Sequence, residues 1–198
     1  DYAPGDIVIP DNIFDHTRNR IRTFFGDGLV AHIGVADPFC PDLSDQVESA
    51  IRRTGATTHR GGSFITIEGP RFSTKAESNT FRAWGMSIIG MTASPEAFLA
   101  REAELCYATM AHVTDYDVWH ETDVNIETVI SNATKNEDAV RKIIKKIIPE
   151  ISAPRNCVCS NALAGAIVTA RDKIPVETIR KLKDLTCKAL LLPAYLFF

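Results

Sequence analysis

Missing from these 198 residues is any long apolar run, and the opening Asp1-Tyr2-Ala3-Pro4-Gly5-Asp6 has nothing of a signal peptide. No uninterrupted stretch approaches the roughly 20 residues a membrane-spanning helix needs. A basic tract is missing as well: 22 Lys and Arg stand against 25 Asp and Glu, for a net charge of −3. That balance gives no electrostatic case for nucleic acid or for an anionic membrane. There is no Walker loop, and Gly26-Asp27-Gly28-Leu29-Val30-Ala31 matches the dinucleotide pattern by letters alone, because it precedes a strand instead of joining strand to helix. Cysteine is sparse, odd in number and scattered (Cys40, Cys106, Cys157, Cys159 and Cys187), which excludes a secreted disulfide framework. The expectation is a cytoplasmic protein. The first residue is not Met and a turn runs straight into the strand Asp6–Pro10, so residues upstream of Asp1 are expected.

What is present suits one globular domain over residues 1–198: 45% hydrophobic and 24% charged residues. Extended and helical patterns alternate. Gly28–Val35, Ser63–Gly69, Met86–Met91 and the apolar stretch Leu105–Val113 read as strands. Pro41-Asp42-Leu43-Ser44 opens a helix towards Arg53, Thr74-Lys75-Ala76-Glu77 has capping-box spacing for a helix to about Trp84, and Ser94-Pro95-Glu96 starts another. Strands separated by single helices mean a largely parallel α/β sheet. The last third is helical. Val140, Ile143, Ile144, Ile147 and Ile148 form a stripe ended by Pro149, a short helix is expected from about Asn161 to Arg171, and Pro175 opens a final helix towards Leu192. The apolar end, Tyr195–Phe198, is expected to pack against something.

Thr114-Asp115-Tyr116-Asp117 is the run richest in chemistry. On a strand, Asp115 and Asp117 would point to one side at the carboxyl end, where α/β proteins bind ligands. Two acids with Tyr116 and Trp119 close by suit a flat heterocycle bearing ring nitrogens and an amino group; the plainer reading is an Asp-rich turn. Asp117, His120 and Asp123 have poor spacing for a metal site. Asn132-Ala133-Thr134 is a glycosylation sequon by letters only. Cys106 reads as a core residue. Cys157-Val158-Cys159 reads as a redox-labile pair, as partners for other cysteines, or as free thiols; zinc would need two more ligands, and no matching pair is near in sequence.

Several separated blocks carry a resemblance. Thr66–Ser78, Gly90-Met91-Thr92 followed by Pro95-Glu96, Thr114–Asp117, and Asp37-Pro38-Phe39-Cys40-Pro41 resemble the trimeric purine nucleoside phosphorylases, in particular their 5′-methylthioadenosine-cleaving branch, from Tyr2 to about Leu192. The resemblance implies a twisted mixed, largely parallel α/β sheet flanked by helices. It also implies phosphorolysis, with inorganic phosphate as co-substrate, no cofactor and no metal. By the same resemblance, Asp115 is the acid facing purine N7 and stabilising the leaving base, while Asp117 lies near the 6-substituent. An acid at both positions implies a 6-aminopurine.

The remaining assignments come from the same comparison of motifs. Phe72 lies against the base with Ser73 beside it, Tyr116 belongs to the substrate pocket, Met91 packs on the ribose, and Thr92 binds phosphate. Ile126 and Val129, apolar and one turn apart, suit a methylthio group better than a hydroxyl. His32 and Leu191 match residues lent to the adjoining subunit, implying a homotrimer, or a hexamer. Three departures stand out. A glycine-rich phosphate loop would lie before Asp1, leaving Thr92 as the one phosphate contact within the chain. Gly90 stands where many relatives have Asn, and the Cys157/Cys159 pair has a counterpart in some relatives from heat-loving archaea. The alternatives are an adenosine- or inosine-cleaving enzyme, or an inactive truncated chain that only binds purines or assists assembly.

Overall fold

In the computed structural model, residues 2–118, 126–151 and 155–186 are described. The strands are β1 (Ile7–Ile9), β2 (Asn12–His16), β3 (Thr58–Arg60), β4 (Ser63–Ile67), β5 (Met86–Gly90) and β6 (Ala111–His112). The helices are α1 (Pro41–Arg52), α2 (Lys75–Ala83), α3 (Ala93–Glu102), α4 (Ile126–Ile147) and α5 (Val176–Lys181). Two three-stranded sheets result, ordered β3-β1-β6 and β2-β4-β5. The β1–β3, β2–β4 and β4–β5 pairings are parallel, and β1–β6 is antiparallel. The mixed, largely parallel α/β architecture is therefore the one expected.

β1 is an unbroken apolar triplet buried on both faces. It packs between α1 and α4 through Ile7, Ile9, Val47, Ala50, Ile51, Ile143 and Ile147. Each fully buried isoleucine here contributes roughly 1.5–3 kcal/mol of apolar transfer. A second cluster, Phe25, Leu29, Leu163, Ile174 and Leu182, ties the segment after β2 to the chain's last third.

Local chemistry explains the helix starts. Pro41 occupies the first turn of α1. The Thr74 hydroxyl accepts the Glu77 N–H at 3.2 Å while Glu77 Oε2 accepts the Thr74 N–H at 2.8 Å, completing the capping box of α2. In α3 the backbone at Ser94 is extended, so regular turns begin at Pro95. α4 ends at Ile147 and tightens into a 3₁₀ turn that contains Pro149.

Four expectations need correction. Gly28–Val35 forms no strand; it makes a single antiparallel bridge, Ala31 to Ile167. Of the Leu105–Val113 stretch, only Ala111 and His112 pair in a sheet. Asn161–Arg171 is not a helix: Gly165 has φ +73°, which breaks the helical path, and turns and short 3₁₀ segments take its place. In α4, Ile143 and Ile147 are buried, but Ile144 and Ile148 face outward. The stripe is narrower than its letters suggest. Cys187, Trp119, His120, Asp123, Leu191 and the apolar end lie outside the described residues.

Candidate active site

The carboxyl ends of β4, β5 and β6 lead into the loops that carry the candidate residues. Main-chain carbonyls at two of those ends are gathered by Arg20, whose guanidinium donates to Ile67 O (3.1 Å), Glu68 O (2.9 Å), Met91 O (2.5 Å) and Ser94 O. One cation satisfying four carbonyls locks the β4 and β5 ends together. Sequence reading missed Arg20, which sits in a polar loop with no periodic pattern to mark it.

Thr114–Asp117 forms a braced turn beyond β6. Asp115 Oδ1 accepts the Asp117 N–H at 2.8 Å, and Thr114 Oγ1 donates to Asp115 Oδ2 at 2.7 Å. Asp117 has φ +61°, a left-handed conformation that Asp tolerates better than most residues. Its Oδ2 accepts the hydroxyl of Ser78, a fully buried residue of α2. Asn132 of α4 donates from Nδ2 to Thr114 O at 2.6 Å, so the asparagine of the letter-only sequon braces the turn. The strand stops at His112, so the two acids converge through an Asx-type turn and not through strand alternation. The turn reading of this run therefore holds, and the turn carries both carboxyls to one cleft.

These residues face a cleft of about 460 Å³ that Asp115, Tyr116 and Asp117 line together with Ser78, Phe81 and His112. Among the described residues each Asp115 oxygen accepts one hydrogen bond, which leaves a lone-pair direction for a ligand's donor. His112 is half-buried, and burial moves its pKa below the ordinary histidine value. Its Nε2 has no hydrogen-bond partner among the described residues.

Phe81 also borders a second hollow of about 240 Å³, lined by His16, Arg18, Glu68, Gly69, Arg71, Ser73 and Glu77. There Arg71 grips Glu77 with two bonds of 2.7 and 2.6 Å, which, with the Thr74 N–H, hold the Glu77 carboxyl down at about 2. The Ser73 hydroxyl is buried without a partner among the described residues, as a group awaiting a ligand would be. Ser73 is thus placed one aromatic ring away from the acids.

The other candidates lie outside both hollows. Phe72 is exposed on the loop before α2. Met91 packs its sulfur against Gly69, where a Cβ would meet Sδ at 2.6 Å. Thr92 is exposed at the N-cap of α3, with no capping bond from its side chain. Ile126 is exposed and Val129 half-buried in the first turn of α4. His32 is exposed, on the segment bridged to Ile167. Ser78, which touches Asp117, was within the motif quoted from sequence but was given no role there.

In sequence, Cys157 and Cys159 read as a redox-labile pair, as partners for other cysteines or as free thiols, with no matching pair near in the chain; the structure supplies one from afar. Folding brings Cys40 and Cys106, from segments more than 50 residues upstream, to the same place (roughly the reach that only tertiary structure supplies).

Comparison with known proteins follows the same lines. Residues 1–149 match the profile of the phosphorylase superfamily. The chain is 50% identical to S-methyl-5'-thioadenosine phosphorylase of Geobacter sulfurreducens over 183 residues, covering 91% of this chain and 64% of that protein. It is 44% identical to the enzyme of that name from Koribacter versatilis, covering 92% and 63%. It thus spans somewhat less than two thirds of these relatives' length. Among solved structures, a methylthioadenosine phosphorylase from an antarctic soil metagenomic library superposes with a TM-score of 0.86 at 42% identity, covering 92% of this chain and 66% of that one. A methylthioadenosine phosphorylase from Schistosoma mansoni in complex with adenine gives 0.74 at 31% identity, covering 94% and 66%.

Proposed function

Because this chain belongs to the phosphorylase superfamily, we propose that it supplies the base-and-sugar half of an enzyme that cleaves 5′-methylthioadenosine with phosphate, yielding adenine and 5-methylthioribose 1-phosphate. The observation that carries this reading is the pair of braced carboxyls, Asp115 and Asp117, in a cleft whose volume falls within the usual range for small-molecule sites. As the C1′–N9 bond breaks, its electrons pass into the purine. Asp115 would give or share a proton at N7, a bond that strengthens as that charge grows. Asp117 would accept from the exocyclic amine, its position set by Ser78. Phosphate would attack C1′ from the opposite face, near Thr92, whose side chain makes no capping bond to α3.

Phe72 and Ser73 would meet the base, Tyr116 the pocket wall, and Met91 the ribose, with Ile126 and Val129 at the methylthio end. His32 and Leu191 would serve a neighbouring subunit in a homotrimer or hexamer. The reading needs no cofactor beyond the phosphate that is consumed, and the protein would work in the cytoplasm as a single domain. No helix among the described residues is long and apolar enough to cross a membrane.

The test is adenine release by the full-length protein. It should require phosphate, and Asp115→Asn should lower kcat by roughly 10²–10⁴, the span of a general acid's contribution. Turnover within about twofold of the parent would remove Asp115 from the mechanism.

A further inference from the structure

We propose that Cys40, Cys106, Cys157 and Cys159 form a structural tetrahedral site for one zinc ion, remote in kind from the nucleoside chemistry. The four sulfurs all lie within 4.8 Å of one another, and Cys106 and Cys157 are 3.4 Å apart. A tetrahedron built on Zn–S bonds of about 2.3 Å has edges of about 3.8 Å, so small side-chain shifts close these thiols around one centre. Disulfides would need sulfurs matched in pairs. Here every sulfur neighbours the other three, as it does around a common ion.

The surroundings supply charge of the right sign. Four thiolates around a divalent cation carry a net charge of −2, which needs compensation inside a protein. Arg101 is buried, and its guanidinium approaches Cys159 Sγ at 3.6 Å while also donating to Asp37 O. None of the ion pairs among the described residues involves Arg101. A guanidinium taken out of water without a carboxylate calls for another anion, and the thiolate cluster is the one beside it. Arg155 also lies within hydrogen-bonding reach of Cys106 and donates to the nearby Glu104 O at 2.7 Å.

Burial also fits a closed site. Cys40 and Cys159 are fully buried, while Cys106 and Cys157 are half-exposed, leaving an entry path. Four protein ligands leave no open position, which marks a structural ion and not a catalytic one. The ion would tie three segments together: the loop before α1, the stretch after α3 that continues to β6 and the Asp115 turn, and the separate 3₁₀ turn Val158–Asn161, which Cys157 caps and which contains Cys159. The first two already touch, through Cys40 N–H to Tyr107 O at 2.8 Å and the stacked rings of Phe39 and Tyr107.

The experiment is a cobalt(II) titration of full-length protein, reduced and exchanged into chelator-free buffer. The expected result is saturation near one cobalt per chain, with the near-ultraviolet thiolate charge-transfer band and the strong visible absorption of tetrahedral cobalt, both abolished by added zinc. Cys157→Ser removes one ligand of the Cys106–Cys157 pair, and should weaken cobalt binding beyond the roughly 10–100-fold that an outer-shell change produces. No charge-transfer band in the reduced parent overturns the proposal, as does unchanged affinity in Cys157→Ser. Alkylation and mass spectrometry of the protein as isolated, before any reductant is added, that find these four sulfurs joined in two disulfides overturn it too. The readout is spectroscopic, so a failure of the nucleoside reading leaves it intact.

Discussion

His112 faces the cleft with an imidazole nitrogen that has no partner among the described residues, and burial holds its pKa below the ordinary value. The folded state therefore resists protonating this ring, whereas the unfolded chain takes a proton at the usual histidine pKa of about 6.5. With the folded pKa depressed, the stabilisation is full above the unfolded value and is lost as pH falls from there towards the folded value. Urea unfolding at about pH 7.5 and about pH 5.5 brackets that window. The parent should lose stability on acidification, and His112→Asn should lose measurably less. An identical loss in both proteins would place the acid sensitivity on another group.

At the level of elements, the β4–β5 pair shows why a glycine sits at the end of β5. Gly90 pairs with Thr66, and a Cβ built on it would lie 2.6 Å from Cζ of the Phe64 ring. Phe64 thus fills the space that a side chain at position 90 would take. Gly90→Ala should cost about 1–3 kcal/mol, the range for overpacking a filled site, and Phe64→Leu in the same chain should recover part of it. Equal cost in both backgrounds, by urea denaturation, would mean that the ring is not the cause.

The same scale shows how far sequence reading reaches. α1, α2 and the regular part of α3 were legible because their starts are written locally, in Pro41, the Thr74/Glu77 box and Pro95. The Leu105–Val113 strand was overread because apolar composition alone specifies neither pairing nor full burial: Leu105 is exposed and the others are half-buried. Its Tyr107 carbonyl bonds the Cys40 N–H, and its Cys106 joins the sulfur cluster. The acids of the site were legible from Thr114–Asp117. Their braces were not, because Ser78 and Asn132 arrive from α2 and α4 through tertiary packing.

For the whole molecule, the open question at the site is where its last contacts come from. His32 is exposed, on a narrow ribbon held by His32 N–H to Ala166 O (2.8 Å) and Val168 N–H to Val30 O (3.0 Å). Val30 and Val168 on that ribbon are also exposed, so this apolar strip is where a neighbouring copy would be expected to cover it. In a cyclic trimer the contact would be heterologous, and each subunit would lend its ribbon to the next one's cleft. Complementation tests that arrangement directly. Full-length His32→Ala and Asp115→Asn proteins should each be impaired. Mixed and allowed to exchange subunits in equal amounts, they should recover activity at roughly a quarter of the sites, those that draw a normal Asp115 from one chain and a normal His32 from the next. Recovery to that level places His32 across the interface. A mixture no more active than the average of its two parents means that His32 serves its own chain or none, and the ribbon then has no part in completing the neighbour's cleft.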